Sequence, residues 1–320
     1  TIQNIKTKKV IDRRAGRTLT SKEAKQLAKT INKKIKLKCR FIYKSGVQHR
    51  GALVLRGNYS QNITNTDPEW SVGRENKFKY SKPLDKTKKS KETAKIINEF
   101  IKQANEILKN HSVNKKRIKK GLLPANILFT RGGGNHVPKI KQYRNWMSIN
   151  SMPLEIGIAK AAKMTNYSFK IPQLKNLDVY KNLYKSLKKS INYSVKIIKK
   201  HNKKYTGCYI QLKETDLPGH DNLPTEKKKM IEIIDKKFFG KIKKFIIKNN
   251  IKLVVTCDHS TPCKLKKHSN HPVPIMFYNG KDKDKTTKFD EKQSKKGSLG
   301  KMFGKQLMKK TGLNKWFIYF

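Results

Sequence analysis

Apolar residues recur at helical spacing in several long stretches and at strand spacing in shorter ones. Ser90 to Asn110 places Ala94, Ile97, Phe100, Ile101, Ala104 and Leu108 on one face and predicts an amphipathic helix. Asp178 to His201 predicts a basic helix, and Pro224 to Asn249 a long one striped by Met230, Ile233, Ile234, Phe238 and Ile242. Thr20 and Glu23 stand at capping-box spacing and open a helix that runs to about Lys34. Pro153 to Met164 and Gly297 to Met308 read as shorter helices. Ile35 to Lys44 and Val47 to Arg56 alternate and read as a hairpin joined at Ser45-Gly46. Further strands are expected at Ala125 to Thr130, Tyr167 to Ile171, Gly207 to Lys213, Leu253 to Cys257 and Val273 to Tyr278. The basic stretch Asn114 to Lys120 reads as a linker, and the loop after Arg56-Gly57 continues to about Lys89. From about Pro153 strands and helices alternate, which implies an α/β fold with a mostly parallel sheet covered on both faces.

Composition leaves that picture intact and adds one anomaly. The 320 residues suffice for one large domain or two. No run approaches the ~18 apolar residues of a membrane helix, the longest being strand-sized pieces such as Trp316 to Phe320. Cys39, Cys208, Cys257 and Cys263 are scattered, and Cys257 and Cys263 lack zinc-knuckle spacing, so a reducing compartment is expected. The chain starts at Thr1, so its start is expected to be processed or missing. Lys and Arg number 76 against 22 Asp and Glu, a formal charge of +54. Such a field attracts polyanions: RNA, DNA, anionic lipid or phosphorylated substrates.

The candidate chemistry gathers at strand ends. The run from Leu253 delivers Asp258 and His259 into a polar loop, with His268 shortly after. The strand from Gly207 leads to Asp216 and His220, four apart around a Pro-Gly turn. That spacing lets a carboxylate and an imidazole meet on one ion, with His268 as a third ligand. Asp258 and His259 would then belong to a second ion. Two adjacent metals can clamp a phosphoryl group, activate a nucleophile and stabilise the leaving oxygen.

Thr215 to Asp221 (TDLPGHD), Asp258 to Cys263 (DHSTPC) and His268 to Pro274 (HSNHPVP) closely resemble the archaeal-type cofactor-independent phosphoglycerate mutases of the alkaline phosphatase superfamily. Asp12 to Arg17 (DRRAGR), His49-Arg50, Leu55 to Gly57, Thr66 to Pro68, Ala125 to Gly134 and Lys296 to Gly300 extend the resemblance along nearly the whole chain. It implies an alkaline-phosphatase-like sheet with helices on both faces in residues 151–320, the metal-binding core. Residues 1–150 would form an α+β insertion domain, cap-like and substrate-binding. It further implies interconversion of 3- and 2-phosphoglycerate, a step of glycolysis, through a phosphoserine at two divalent ions. Manganese is the first expectation, zinc and magnesium the alternatives. Asp216, His220 and His268 would hold one ion, and Asp258 with His259 the other. Asp12, Arg13, Arg14, Arg17, His49 and Arg131 would bind substrate, arginine's planar fork being suited to oxyanions.

The chain also departs from the family. The resemblance puts the serine nucleophile and a metal-binding aspartate in a segment ahead of Thr1. The family's Gly-Ala-Thr-Gly turn with its following Thr-Asp-Tyr and lysine is replaced by Pro172 to Tyr180, and Lys181 and Lys185 both remain open as the lysine's substitute. His271 stands where an acid is usual. Two expectations follow: a mutase completed by the upstream segment, or a pseudoenzyme without working metals. The second would be a basic RNA-binding component of a ribonucleoprotein such as a mitochondrial ribosome. The compartment is then cytoplasm or mitochondrial matrix, mitochondrial if RNA is bound.

Overall fold

The structure is a computed structural model that describes residues 1–68, 77–169, 178–281, 283–313 and 317–319. It divides into two compact units, Thr1–Lys139 and Ile140–Phe320.

In the first unit, Thr20 and Glu23 close the expected capping box and start α1 (Ser21–Lys34), which buries Ala24, Leu27, Ala28 and Ile31 at helical spacing. Strands β1 (Arg40–Ser45) and β2 (Gly51–Arg56) pair antiparallel, with Arg40 opposite Arg56 and Ser45 opposite Gly51. The hairpin loop is therefore Gly46 to Arg50, longer than Ser45-Gly46 alone, and Ile35 is buried at the end of α1 and starts no strand. Helix α2 (Lys88–Lys109) is capped by Thr87 and buries the predicted stripe.

The basic stretch after it is no linker. It forms α3 (Ser112–Lys119), because His111 caps it and Arg117 turns inward to only 1% exposure. The Arg117 guanidinium donates to Leu123 O, Ala15 O and the Thr18 hydroxyl, and lies 3.2 Å from the Glu23 carboxylate. Ala125 to Thr130 forms no strand. Its backbone is served by side chains instead: Asn114 takes the Ala125 N–H and donates to its carbonyl, Asn105 donates to Asn126 O, and Thr66 accepts from Thr130 N. Every buried peptide group needs a partner, and amides supply it without a sheet.

The second unit is built on a six-stranded sheet ordered β4-β3-β5-β8-β6-β7. Its strands are β3 (Trp146–Ile149), β4 (Thr165–Tyr167), β5 (Gly207–Gln211), β6 (Leu253–Thr256), β7 (Met276–Tyr278) and β8 (Phe317–Tyr319). All neighbours are parallel except β7, which runs antiparallel to β6. Strand β3, absent from the sequence-based expectation, is four fully buried residues and carries no alternation. It pairs with both β4 and β5, so the unit begins at Ile140, ahead of position 150. Gly207 leaves room for the Trp146 ring, which a Cβ there would meet at 2.2 Å.

Helix α4 (Pro153–Ala161) follows β3, and α5 (Val179–His201) starts at the Asp178 cap. After the single turn α6 (Asp216–His220) comes the long predicted helix, as α7 (Pro224–Ile233) and α8 (Gly240–Lys248) joined through a π-helical segment Ile234–Phe239. Leu187, Ile191 and Ile198 of α5 meet Met230, Phe238 and Ile242 in one core with β3 and β5. Among the described residues no helix is long and apolar enough to cross a membrane.

Two expectations need correction here. Tyr167 to Ile171 narrows to Thr165–Tyr167, with 170–171 outside the described residues. Gly297 to Met308 is not one helix. Residues 297–303 are a loop after the short α9 (Glu291–Ser294), and a 3-10 turn at Gly304–Gln306 leads into α10 (Leu307–Lys310); Gly300 sits at φ +60°. The Asp284 carboxylate collects the N–H groups of Thr286 and Ser298 and holds that segment as a loop.

Candidate functional site

Both candidate loops leave the carboxyl ends of parallel strands, β5 and β6, which flank β8, and open α/β folds place their sites at such ends. Leaving β5, the chain makes the single turn α6, whose i, i+4 spacing puts Asp216 and His220 on one side. Leaving β6, it runs through Asp258 and His259, makes a tight turn at Cys263–Leu265, and returns with Ser269 N bonded to Ser260 O. That return sets His268 over α6. Gly219 lets the loop descend, since a Cβ there would lie 2.5 Å from Thr261 O.

Three donors meet. His220 Nε2 lies 3.1 Å from His268 Nε2 and 3.6 Å from Asp216 Oδ2, while His268 Nε2 lies 3.5 Å from Asp216 Oδ1. All three ligand atoms fall within 4.8 Å of one another. Bonds of about 2.1 Å to a common ion give donor separations of about 3.0 Å in an octahedron and about 3.4 Å in a tetrahedron. The observed separations have that size.

Hydrogen bonds outside the three fix how they face. His220 Nδ1 is 3.0 Å from Lys266 O, an acceptor only, so Nδ1 carries the proton and Nε2 presents its lone pair. The Thr261 hydroxyl donates to Asp216 Oδ1 at 2.8 Å and spends its single proton there. His259 Nδ1, 3.2 Å from the same hydroxyl, must then be its donor, so the neutral ring would turn an Nε2 lone pair outward; Nε2 lies 3.4 Å from Asp258 Oδ2. The His259 and His268 rings stack with centroids 3.6 Å apart. Burial, then the neighbouring His259, hold the His268 pKa below the ordinary imidazole value and favour the neutral, ligating form; His220 acts the same way, and Asp216 and Asp258 oppose it. Donor types, spacing and tautomers fit a divalent cation.

A buried polar layer beside this cluster was not anticipated from sequence. Lys213 donates to the Glu155 carboxylate at 2.6 Å, and Ser186 to Glu214 at 2.8 Å. Burial raises the Glu214 pKa. Glu155, Glu214 and Asn150 each keep a buried side-chain atom without a hydrogen-bond partner.

The first unit gathers the other predicted residues. Asp12 Oδ1 accepts from Arg14 N and Gly16 N, folding a turn in which Ala15, Gly16 and Arg17 all take positive φ. Non-glycine residues rarely adopt that backbone, and Arg117 anchors it from below through Ala15 O and Thr18. Arg13 forks onto Asp67 at 2.7 and 2.6 Å, and Arg131 lies 3.6 Å from the same carboxylate. Burial, then Arg17, Arg13 and Arg50, lower the pKa of Arg14. Burial, then Arg50 and Arg14, with Arg131 adding to them against Asp12, bring His49 to about 4. Cations crowded this closely repel one another and favour an anion among them. Arg50 and Asp67 belong to this cluster although the sequence reading gave them no role. His271 takes no part in the metal cluster and pairs with Ser269 at 2.7 Å. Of the altered stretch Pro172 to Tyr180, residues 172–177 lie outside the described residues, while Lys181 and Lys185 are exposed on α5.

A mostly parallel sheet with a histidine–carboxylate cluster at its carboxyl edge is an α/β arrangement of the metalloenzyme-superfamily class. A Metalloenzyme superfamily model matches residues 157–315, and a 2,3-bisphosphoglycerate-independent phosphoglycerate mutase model matches residues 1–114. A Picrophilus torridus protein of that mutase name is 37% identical over 299 residues, 91% of this chain and 68% of its own length. A Pyrococcus abyssi one is 32% identical over 304 residues, 93% of this chain and 70% of its own. A Pyrococcus horikoshii protein of known structure shares the fold, with a TM-score of 0.62 at 23% identity, covering 98% of this chain and 68% of that one. The chain belongs to the 2,3-bisphosphoglycerate-independent phosphoglycerate mutase family.

Proposed function

We propose that the chain carries the metal-binding and substrate-binding parts of a phosphoglycerate mutase, interconverting 3- and 2-phosphoglycerate through a phosphoserine. The observation that carries this is the Asp216–His220–His268 cluster at coordination spacing, with Asp258 and His259 beside it.

Asp216, His220 and His268 would hold one divalent ion, manganese by preference, and Asp258 with His259 would help hold a second. Ions there supply Lewis-acid charge at a phosphoryl group and lower the pKa of a bound hydroxyl. The protein's own contribution is preorganisation. Lys266 O and Thr261 fix the imidazole tautomers and the Asp216 carboxylate before any ion arrives. In the first unit, Arg14, Arg17, Arg50 and Arg131 would take the phosphate and carboxylate of phosphoglycerate, Arg13 being already committed to Asp67. Neutral His49 can donate or accept one hydrogen bond at a substrate oxygen. The first unit, Thr1–Lys139, would thus act as the substrate-binding insertion domain and the second, Ile140–Phe320, as the metal-binding core.

The test is manganese-dependent conversion of 3- to 2-phosphoglycerate by the full-length protein. Conversion lost in Asp216→Ala and His268→Ala is the expected result. A folded, metal-loaded protein without turnover would overturn it and favour the silent, RNA-associated reading that the +54 charge supports.

A further inference from the structure

The charge is not spread evenly over the elements. Helix α5 carries seven lysines, all exposed, and no acidic residue. Beside it, the helix running from Pro224 to Lys248 carries nine lysines against Glu226, Glu232 and Asp235, and eight of the nine are exposed. The two pack together through Leu187, Ile191, Met230 and Phe238, and Lys241 Nζ reaches Asn192 Oδ1 across their outer seam at 2.8 Å. They form one layer of the second unit with a single lysine-covered outer face.

That face opposes its own helices. Lys181, Lys185 and Lys189 follow at four-residue intervals, as do Lys196 and Lys200, Lys237 and Lys241, and Lys244 and Lys248. Each like-charged pair costs a helix about 0.2–0.5 kcal/mol. A dense row of negative charge laid along both helices would relieve that repulsion. Duplex nucleic acid carries one charge per ~1.7 Å, and α5, with 23 residues, is about 34 Å long. The face holds lysines and no arginine, which suits contact with phosphates and carries no base readout. An anionic membrane fits less well, because helices that lie in a membrane expose an apolar face. Here the apolar stripes are largely spent in the core, with Leu187, Phe238 and Ile242 fully buried, and the exposed Ile231 and Ile247 stand apart, sixteen positions from each other.

We propose that the outer face of α5 and the Pro224–Lys248 helix binds the phosphate backbone of a nucleic acid. The test is independent of catalysis, since Lys188, Lys196, Lys237 and Lys244 belong to neither the metal cluster nor the arginine cluster. The test measures affinity of the whole chain for 20-base-pair RNA and DNA duplexes across a salt series, with phosphatidylserine vesicles as a third arm. Two variants each lose four exposed lysines to glutamine: Lys188, Lys196, Lys237 and Lys244 on the face, or Lys22, Lys25, Lys29 and Lys33 on α1. Tight, salt-sensitive duplex binding is expected, with the tighter duplex identifying the source. The face variant should flatten the slope of log affinity against log salt by about 3, and the α1 variant should leave it nearly unchanged. Equal effects of the two variants would show a diffuse lysine coat and overturn the proposal. So would vesicle binding without duplex binding, or no binding at low salt.

Discussion

His49 sits among Arg14, Arg50 and Arg131, and its half-buried ring is held near pKa 4 against an ordinary 6.5. The unfolded chain therefore binds a proton in a range where the folded chain does not. Stability tied to His49 is fully present above pH 6.5 and is lost as pH falls from 6.5 toward 4. His49→Gln should flatten the urea midpoint between pH 6.5 and 4 relative to the parent; an unchanged pH slope would refute the burial argument. At this scale the sequence was informative about identity and silent about partners. The spacing of Asp216, His220, Asp258, His259 and His268 marked them as candidate ligands, because chemistry restricts which residue types can bind metal, and the structure brings Asp216, His220 and His268 together. Thr261 and the carbonyl of Lys266 reach Asp216 and His220 across 45 and 46 positions, and no local pattern announces them.

Elements whose signal is local were legible. Helices α1, α2 and α5 declare themselves by a cap and a stripe within one window. Helix α3 was not, since its central arginine is buried by Glu23, 94 positions away. Strand β3 is too short to show a period. The close approach of α6 to the returning loop is likewise tertiary and depends on Gly219. Gly219→Ala keeps the helical turn and drives a methyl against Thr261, which should displace the hydroxyl from Asp216. Metal affinity is expected to fall about 10-fold or more while the chain stays folded. Isothermal titration of the folded variant checks this, and parental affinity would mean that Thr261 does not position Asp216.

Across the whole molecule, two ordered clusters lie in two compact units: cations around the Asp12–Arg17 turn in the first, carboxylate and imidazoles at the sheet edge in the second. The parallel sheet was expected from the alternation after Pro153, and the family from motifs that run the length of the chain. Most of the charge of +54 lies on lysines outside both clusters and marks a second kind of surface.

The central claim is that Asp216, His220 and His268 bind a divalent ion. Titrating the purified chain with Mn2+ while following the free-ion paramagnetic resonance signal tests it most directly. Stoichiometric binding is predicted, weakened at least about 100-fold by His220→Ala or His268→Ala with the fold retained. Equal Mn2+ uptake by parent and variants, or none by the folded parent, would contradict the account.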